Sequence, residues 1–174
     1  AQITQHDNFA FGLYSAGYYI GVGLTFVGVF MGPGGSFLDN TGELFLYGIT
    51  GIVFMGMSYA ISDLVYLRKI KIMKQLVAGN SAVASFLMGR FIFTGHNVLA
   101  AIHGEGSWFI CFVYYVLGEA GCWIGFQAYC LVTPYDDVKE VEQGKDAVGI
   151  VSAGFLIAVG LLAICALAAM QSTG

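Results

Sequence analysis

Five apolar runs, at residues 9–31, 44–62, 81–103, 108–132 and 147–170, constrain this chain more than any other feature. Each is close to the ~20 residues that span ~30 Å of hydrocarbon at 1.5 Å per residue. The first, second and fifth hold no charged residue; the third holds Arg90 and the fourth Glu119. As buried helices of a water-soluble bundle they would need polar sequence to wrap them. Charged residues are only 10% of the chain and hydrophobic residues 57%, where a soluble domain carries about 25% charged. The expectation is an all-α, polytopic transmembrane bundle of five spans, with lipid as its main partner.

The connections are short. Residues 32–43 are rich in Gly, Pro, Asn and Asp and contain the breaker Gly32-Pro33-Gly34-Gly35. Residues 104–107 form a tight turn, which makes the third and fourth runs an antiparallel hairpin. The longer links, 67–80 and 133–146, hold six of the seven basic residues: Arg68, Lys69, Lys71, Lys74, Lys139 and Lys145. Two runs separate them, so both fall on one side, which the positive-inside rule makes cytoplasmic. With five spans the N-terminus is then inside, and Ala1 is expected to follow a removed Met rather than a cleaved signal peptide.

A shift of 65 residues lays Gly56, Lys74, Gly79, Ala82, Gly89 and Gly95 on Gly121, Lys139, Gly144, Ala147, Gly154 and Gly160. The chain therefore reads as two tandem hairpins, 41–104 and 105–174, after an extra N-terminal helix and outer loop at 1–40. An even number of spans per unit makes the repeat parallel rather than inverted. The stretch Leu76-Val77-Ala78-Gly79-Asn80-Ser81-Ala82-Val83-Ala84, then Gly89, resembles a signature of the YjfL-like bacterial inner-membrane proteins. That family has no established function and is itself a duplicated helical hairpin. The resemblance runs over roughly 43–170, and Lys145 stands where it implies a second Asn. It implies a fold and a bacterial inner-membrane location, and no activity.

Arg90 and Glu119 are the most informative pair. A charge at mid-bilayer costs ~2.5–3.5 kcal/mol on insertion scales, so it calls for a partner. Arg90 lies about fifteen residues before the 104–107 turn and Glu119 about thirteen after it, which puts both at similar depth. Arg90, Thr94 and Asn97 form one polar stripe, and Tyr115 and Glu119 share a face. Two readings follow: a structural lock across the hairpin, or the lining of a proton or ion path or of a ligand pocket. His96, His103 and Glu105 are weak candidates for a metal, haem or pigment, because no second His-bearing helix and no HExxH supports them. No cofactor is predicted.

Small residues recur at helix-packing spacing, among them Gly17, Gly21, Gly79, Gly89, Gly121, Gly125 and Gly154. Gly17 and Gly21, outside the duplicated core, are expected to be free to face a neighbour. The cysteines, Cys111, Cys122, Cys130 and Cys165, sit in apolar runs and read as small hydrophobes. Phosphate-loop and nucleophile motifs are missing, no link is long enough for a catalytic domain, and no basic tract suits nucleic acid. The expectation is a non-enzymatic structural or accessory subunit that self-assembles or packs with other membrane subunits. A small channel or transporter is the alternative, and a cofactor-binding protein comes after it.

Overall fold

The computed structural model describes residues 7–31, 37–105 and 108–172. Among them are seven α-helices: α1 (Phe9–Met31), α2 (Phe37–Ile61), α3 (Ile72–Val77), α4 (Ser81–Glu105), α5 (Trp108–Val132), α6 (Asp137–Glu142) and α7 (Asp146–Ser172). A π-helical turn, Ser62–Tyr66, ends α2 and closes with Leu67 N–H donating to Ser62 O at 2.8 Å. The architecture is an all-α bundle. Four stretches are long and apolar enough to cross a membrane: Phe9–Met31, Thr41–Tyr66, Trp108–Val132 and Asp146–Ala166.

Helix α4 matches those helices in length but is more polar, because it carries Arg90, Thr94, His96 and Asn97. Its place in the bundle explains why that is tolerated. It packs most extensively on α1 along one side and on α7 along the other, and α2 and α5 lie against it as well. From Ala82 to Ile102 almost every residue is buried. The helices around it expose Tyr19, Phe30, Ile49, Leu117, Ile124 and Leu162 instead. The apolar exterior thus belongs to the outer helices, and the largest share of the buried polar side chains to the central one.

The two hairpins superimpose element by element in the sequence. Short helix α3 (Ile72–Val77) shifts by 65 onto α6 (Asp137–Glu142), and the start of α4 at Ser81 onto the start of α7 at Asp146. Between short and long helix the chain turns on Gly79 at φ +84° and Gly144 at φ +78°. This left-handed conformation costs a residue with a Cβ ~1–2 kcal/mol, which explains the glycine in both copies. Gly79 is therefore a helix C-terminal residue and not a packing residue: a Cβ there would meet nothing within 4 Å.

A second periodicity joins α1 to the scheme. Asn8 Nδ2 donates to the carbonyls of Leu76 and Val77 at the end of α3, at 2.9 and 3.3 Å. Asn80 Nδ2 donates to the carbonyls of Val141 and Glu142 at the end of α6, both at 3.1 Å. Each Asn also accepts from the backbone N–H three residues on, Phe11 and Val83 respectively, at 3.1 Å, as an N-cap does. A shift of 72 residues thus carries Asn8 onto Asn80, and with it Ala10, Gly17 and Gly23 onto Ala82, Gly89 and Gly95. Helices α1, α4 and α7 are three successive members of one row, with α2 and α5 as the returning helices.

The close approaches in the row repeat too. A Cβ on Gly17 would lie 2.5 Å from Met88 Cα, and a Cβ on Gly89 would lie 2.6 Å from Ala153 Cα. A Cβ on Gly95 would meet Gly21 Cα at 2.8 Å, and one on Gly160 would meet Phe93 Cα at 3.2 Å. Gly17 and Gly21 are therefore consumed inside the chain, against α4, and are not free to face a neighbour. Gly89 serves the α4–α7 contact, whereas Gly121 and Gly154 have nothing within 4 Å and Gly125 only Phe155 at 3.6 Å.

Candidate functional site

The buried polar groups gather where the middle of α4 meets the end of α2 and the middle of α5. Arg90 is fully buried, and its Nη2 lies 2.5 Å from Glu119 Oε2 across the α4–α5 hairpin. Arg90 Nε donates to Ser62 Oγ at 3.4 Å, and Nη1 lies 3.5 Å from both Tyr66 Oη and Cys122 Sγ. The guanidinium carbon also sits 4.4 Å from the centre of the Tyr66 ring, a cation–π contact. The other carboxylate oxygen of Glu119 is 3.4 Å from Thr94 Oγ1, which lies 2.8 Å from Ser58 Oγ. Two opposite charges thus sit in one buried cage, each with further polar neighbours, as a low-dielectric interior requires.

The π turn belongs to this site. Ser62 Oγ donates to Ser58 O at 2.8 Å, and the turn brings both Ser62 and Tyr66 onto Arg90. Extra residues in a helical turn commonly mark functional or strained positions; here they aim two polar side chains at a buried cation. The spacing Ser58-x₃-Ser62-x₃-Tyr66 is a polar stripe at and just past the end of the second run that matches the stripe on α4. That stripe was the available signal for these partners. Cys122, inside an apolar run, gives no such signal.

Asn97 and Tyr115 lie further along the same interface. Asn97 Nδ2 donates to Tyr115 O at 3.2 Å. A Cβ on Gly118 would collide with the Asn97 carboxamide, so the missing side chain makes room for that bond. The Tyr115 ring stacks on Phe54 with centroids 4.1 Å apart. His96 points away from this cluster, toward α7, where Gly160 leaves space for it. The side chains of His103 and Glu105 lie outside the described residues. Among the described residues no three His, Cys, Asp or Glu side chains come together as a metal site would need.

Two cavities open beside the charged links. The larger, about 850 Å³, is lined by Tyr66, Arg68, Lys69, Trp123, Gln127 and Lys139 among others. The smaller, about 480 Å³, runs along Asp63, Arg68 and Lys71. Neither is lined by Arg90 or Glu119, and Tyr66 stands between the larger one and the ion pair.

Fold and site together define a polytopic helical membrane protein built from tandem hairpins around a buried ion pair. The family model for a domain of unknown function, DUF350, matches twice, over residues 1–102 and 105–174, and the chain belongs to that family. The first match takes in α1 as well as the first hairpin, so it reaches further toward the N-terminus than the likeness over 43–170. No curated protein and no solved structure matches the chain.

Proposed function

We propose that the protein is a non-enzymatic integral membrane protein of the bacterial inner membrane, related to the YjfL-like proteins, that acts as a packing subunit of a larger membrane assembly. It crosses the bilayer five times, α4 being the third crossing and the one enclosed by the other four, with α3, α6 and the basic links on the cytoplasmic side. One observation carries the reading. Gly23 on α1 and Gly154 on α7 are exposed, and a Cβ on either would meet nothing within 4 Å. Glycine inside a helix is unfavourable by ~0.5–1 kcal/mol relative to alanine. In membranes it is found where another helix comes close, and within this chain none comes close to these two. Mass measurement of the purified protein in mild detergent and in lipid nanodiscs tests the reading. A species heavier than one chain is expected, and a monomer under both conditions would overturn it.

A second reading, a small proton or ion channel, draws on the column from Ser58 and Thr94 through Glu119 and Arg90 to Tyr66 at the rim of the larger cavity. The mutual satisfaction of Arg90 and Glu119 favours the lock. A liposome flux assay decides: flux in the wild type that disappears when both charges are replaced supports the channel.

A further inference from the structure

The row α1, α4, α7 contains the same helix–helix contact twice, and each contact uses two glycine positions. One is the set Gly17, Gly89, Gly154, and the other is the set Gly23, Gly95, Gly160. In the first contact Gly17 of α1 meets Met88 and Gly95 of α4 meets Gly21. In the second, Gly89 of α4 meets Ala153 and Gly160 of α7 meets Phe93. Met88 shifts by 65 onto Ala153, and Gly21 by 72 onto Phe93, so the two contacts are one interface in two copies. Two glycines are left over. Gly154 is the first half of a third such interface, on the far side of α7. Gly23 is the second half, on the far side of α1. Both lie in the open.

We infer that a second copy of this chain completes the third interface, with α7 of one copy packing in parallel on α1 of the next. This deepens the assembly reading above and rests on it. The register follows from the two contacts inside the chain. Gly154 would meet Ala16 of the neighbour, which holds the place of Met88 and Ala153. Gly23 of the neighbour would meet Ala158, which holds the place of Gly21 and Phe93. Ala16, Gly23, Gly154 and Ala158 are all exposed. Both faces are largely apolar and the four contact positions are small, which lets two backbones approach there as the internal pairs do. The contact joins two different surfaces, so it is heterologous and propagates into a ring or an open row in the membrane plane. A self-complementary α7–α7 pairing would leave Gly23 with no role.

Disulfide trapping in native membranes tests this, with Cys130→Ser and Cys165→Ser to remove the two cysteines that are not buried. The double variant Ala16→Cys with Gly154→Cys should give a ladder of dimers and higher species on oxidation. The two single variants expressed together should give dimers only, and each alone should give none. Self-linking of Gly154→Cys alone at the yield of the pair would overturn the proposal in favour of a symmetric contact. Absence of any cross-link from a protein that is still heavier than one chain would overturn it while leaving the assembly reading standing. A monomeric wild type would remove both. As a second arm, Gly154→Leu fills open space and leaves the α4–α7 contact untouched. It should lower the associated fraction at least tenfold with the folded monomer retained, and unchanged association would overturn the proposal.

Discussion

Ser81 Oγ donates to Asp146 Oδ1 at 2.5 Å, and the two residues occupy the same position in successive repeats, each opening a long helix. The bond ties the start of α4 to the start of α7 and fixes their relative height. Beside it the Asn80 carboxamide holds the end of α6 and also reaches Gln75 Oε1 at 3.0 Å. In the second copy the pair equivalent to Asn80 and Gln75 is Lys145 and Glu140, joined as a salt bridge. The same geometric job is done by an amide pair in one repeat and by an ion pair in the other.

The cap residues should therefore be unequal. Asn80→Ala removes an N-cap and the bonds to the end of α6, and it is expected to cost ~1–2 kcal/mol, the upper range for a cap. Lys145→Asn restores a cap where the sequence departs from the repeat, and should raise the melting temperature slightly. Thermal unfolding in detergent measures both. Equal and negligible effects would show that the caps do not set the register of α4 and α7.

Removing one member of the Arg90–Glu119 pair leaves a buried charge unpaired, at a cost of ~3–5 kcal/mol. Arg90→Met and Glu119→Gln should each lower yield and thermal stability sharply. Arg90→Met combined with Glu119→Met should recover most of the loss, because apolar replacement of both partners can be neutral or stabilising. A double variant as unstable as the sum of the singles would mean that the two charges act independently.

Glycines of the row should divide by the neighbour each one meets. Gly89→Leu drives a side chain into the Ala153 backbone and should abolish folded protein in the membrane fraction. Gly79→Ala meets no atom, yet must hold φ +84°, and should cost about 1–2 kcal/mol. Fluorescence-detected size exclusion of the two variants separates a steric loss from a conformational one.

Single cysteines at the Lys71 and Lys139 positions should label from the same side of the membrane with an impermeant reagent, and one at Glu43 from the opposite side. Labelling of positions 71 and 139 from opposite sides would rule out the parallel arrangement of the two hairpins.

Much of this was legible in the sequence, and the gaps have physical causes. Depth counted from the turn expected at 104–107 places Arg90 and Glu119 together, because helix rise is constant. It says nothing about Ser62 and Tyr66, which reach Arg90, or about Ser58, which reaches Thr94, from a stretch at no fixed count from that turn. The repeat of 65 is visible because both of its links have the same length. The shift of 72 that relates α1 to α4 is hidden because the connections differ in length, so Asn8 and Asn80 fall out of step. Apolar runs reveal helices but not their order in a bundle. The relative polarity of α4 is the one hint that it is the member shielded from lipid.

The placement of Arg90 bears on how the protein is made. A helix carrying a mid-membrane cation, whose insertion penalty is ~2.5–3.5 kcal/mol, gains little by entering hydrocarbon alone. Helix α4 also leaves the ribosome before α5 supplies Glu119 and before α7 covers its second side. Of the described groups that shelter the guanidinium, only those on the π turn after α2, Ser62 and Tyr66, precede it in the chain. During synthesis α4 therefore depends on α1 and α2 as a waiting half-bundle. Its settled position in the bundle is reached only when the next hairpin arrives, which makes assembly a sequence of dockings along the row rather than a set of independent insertions.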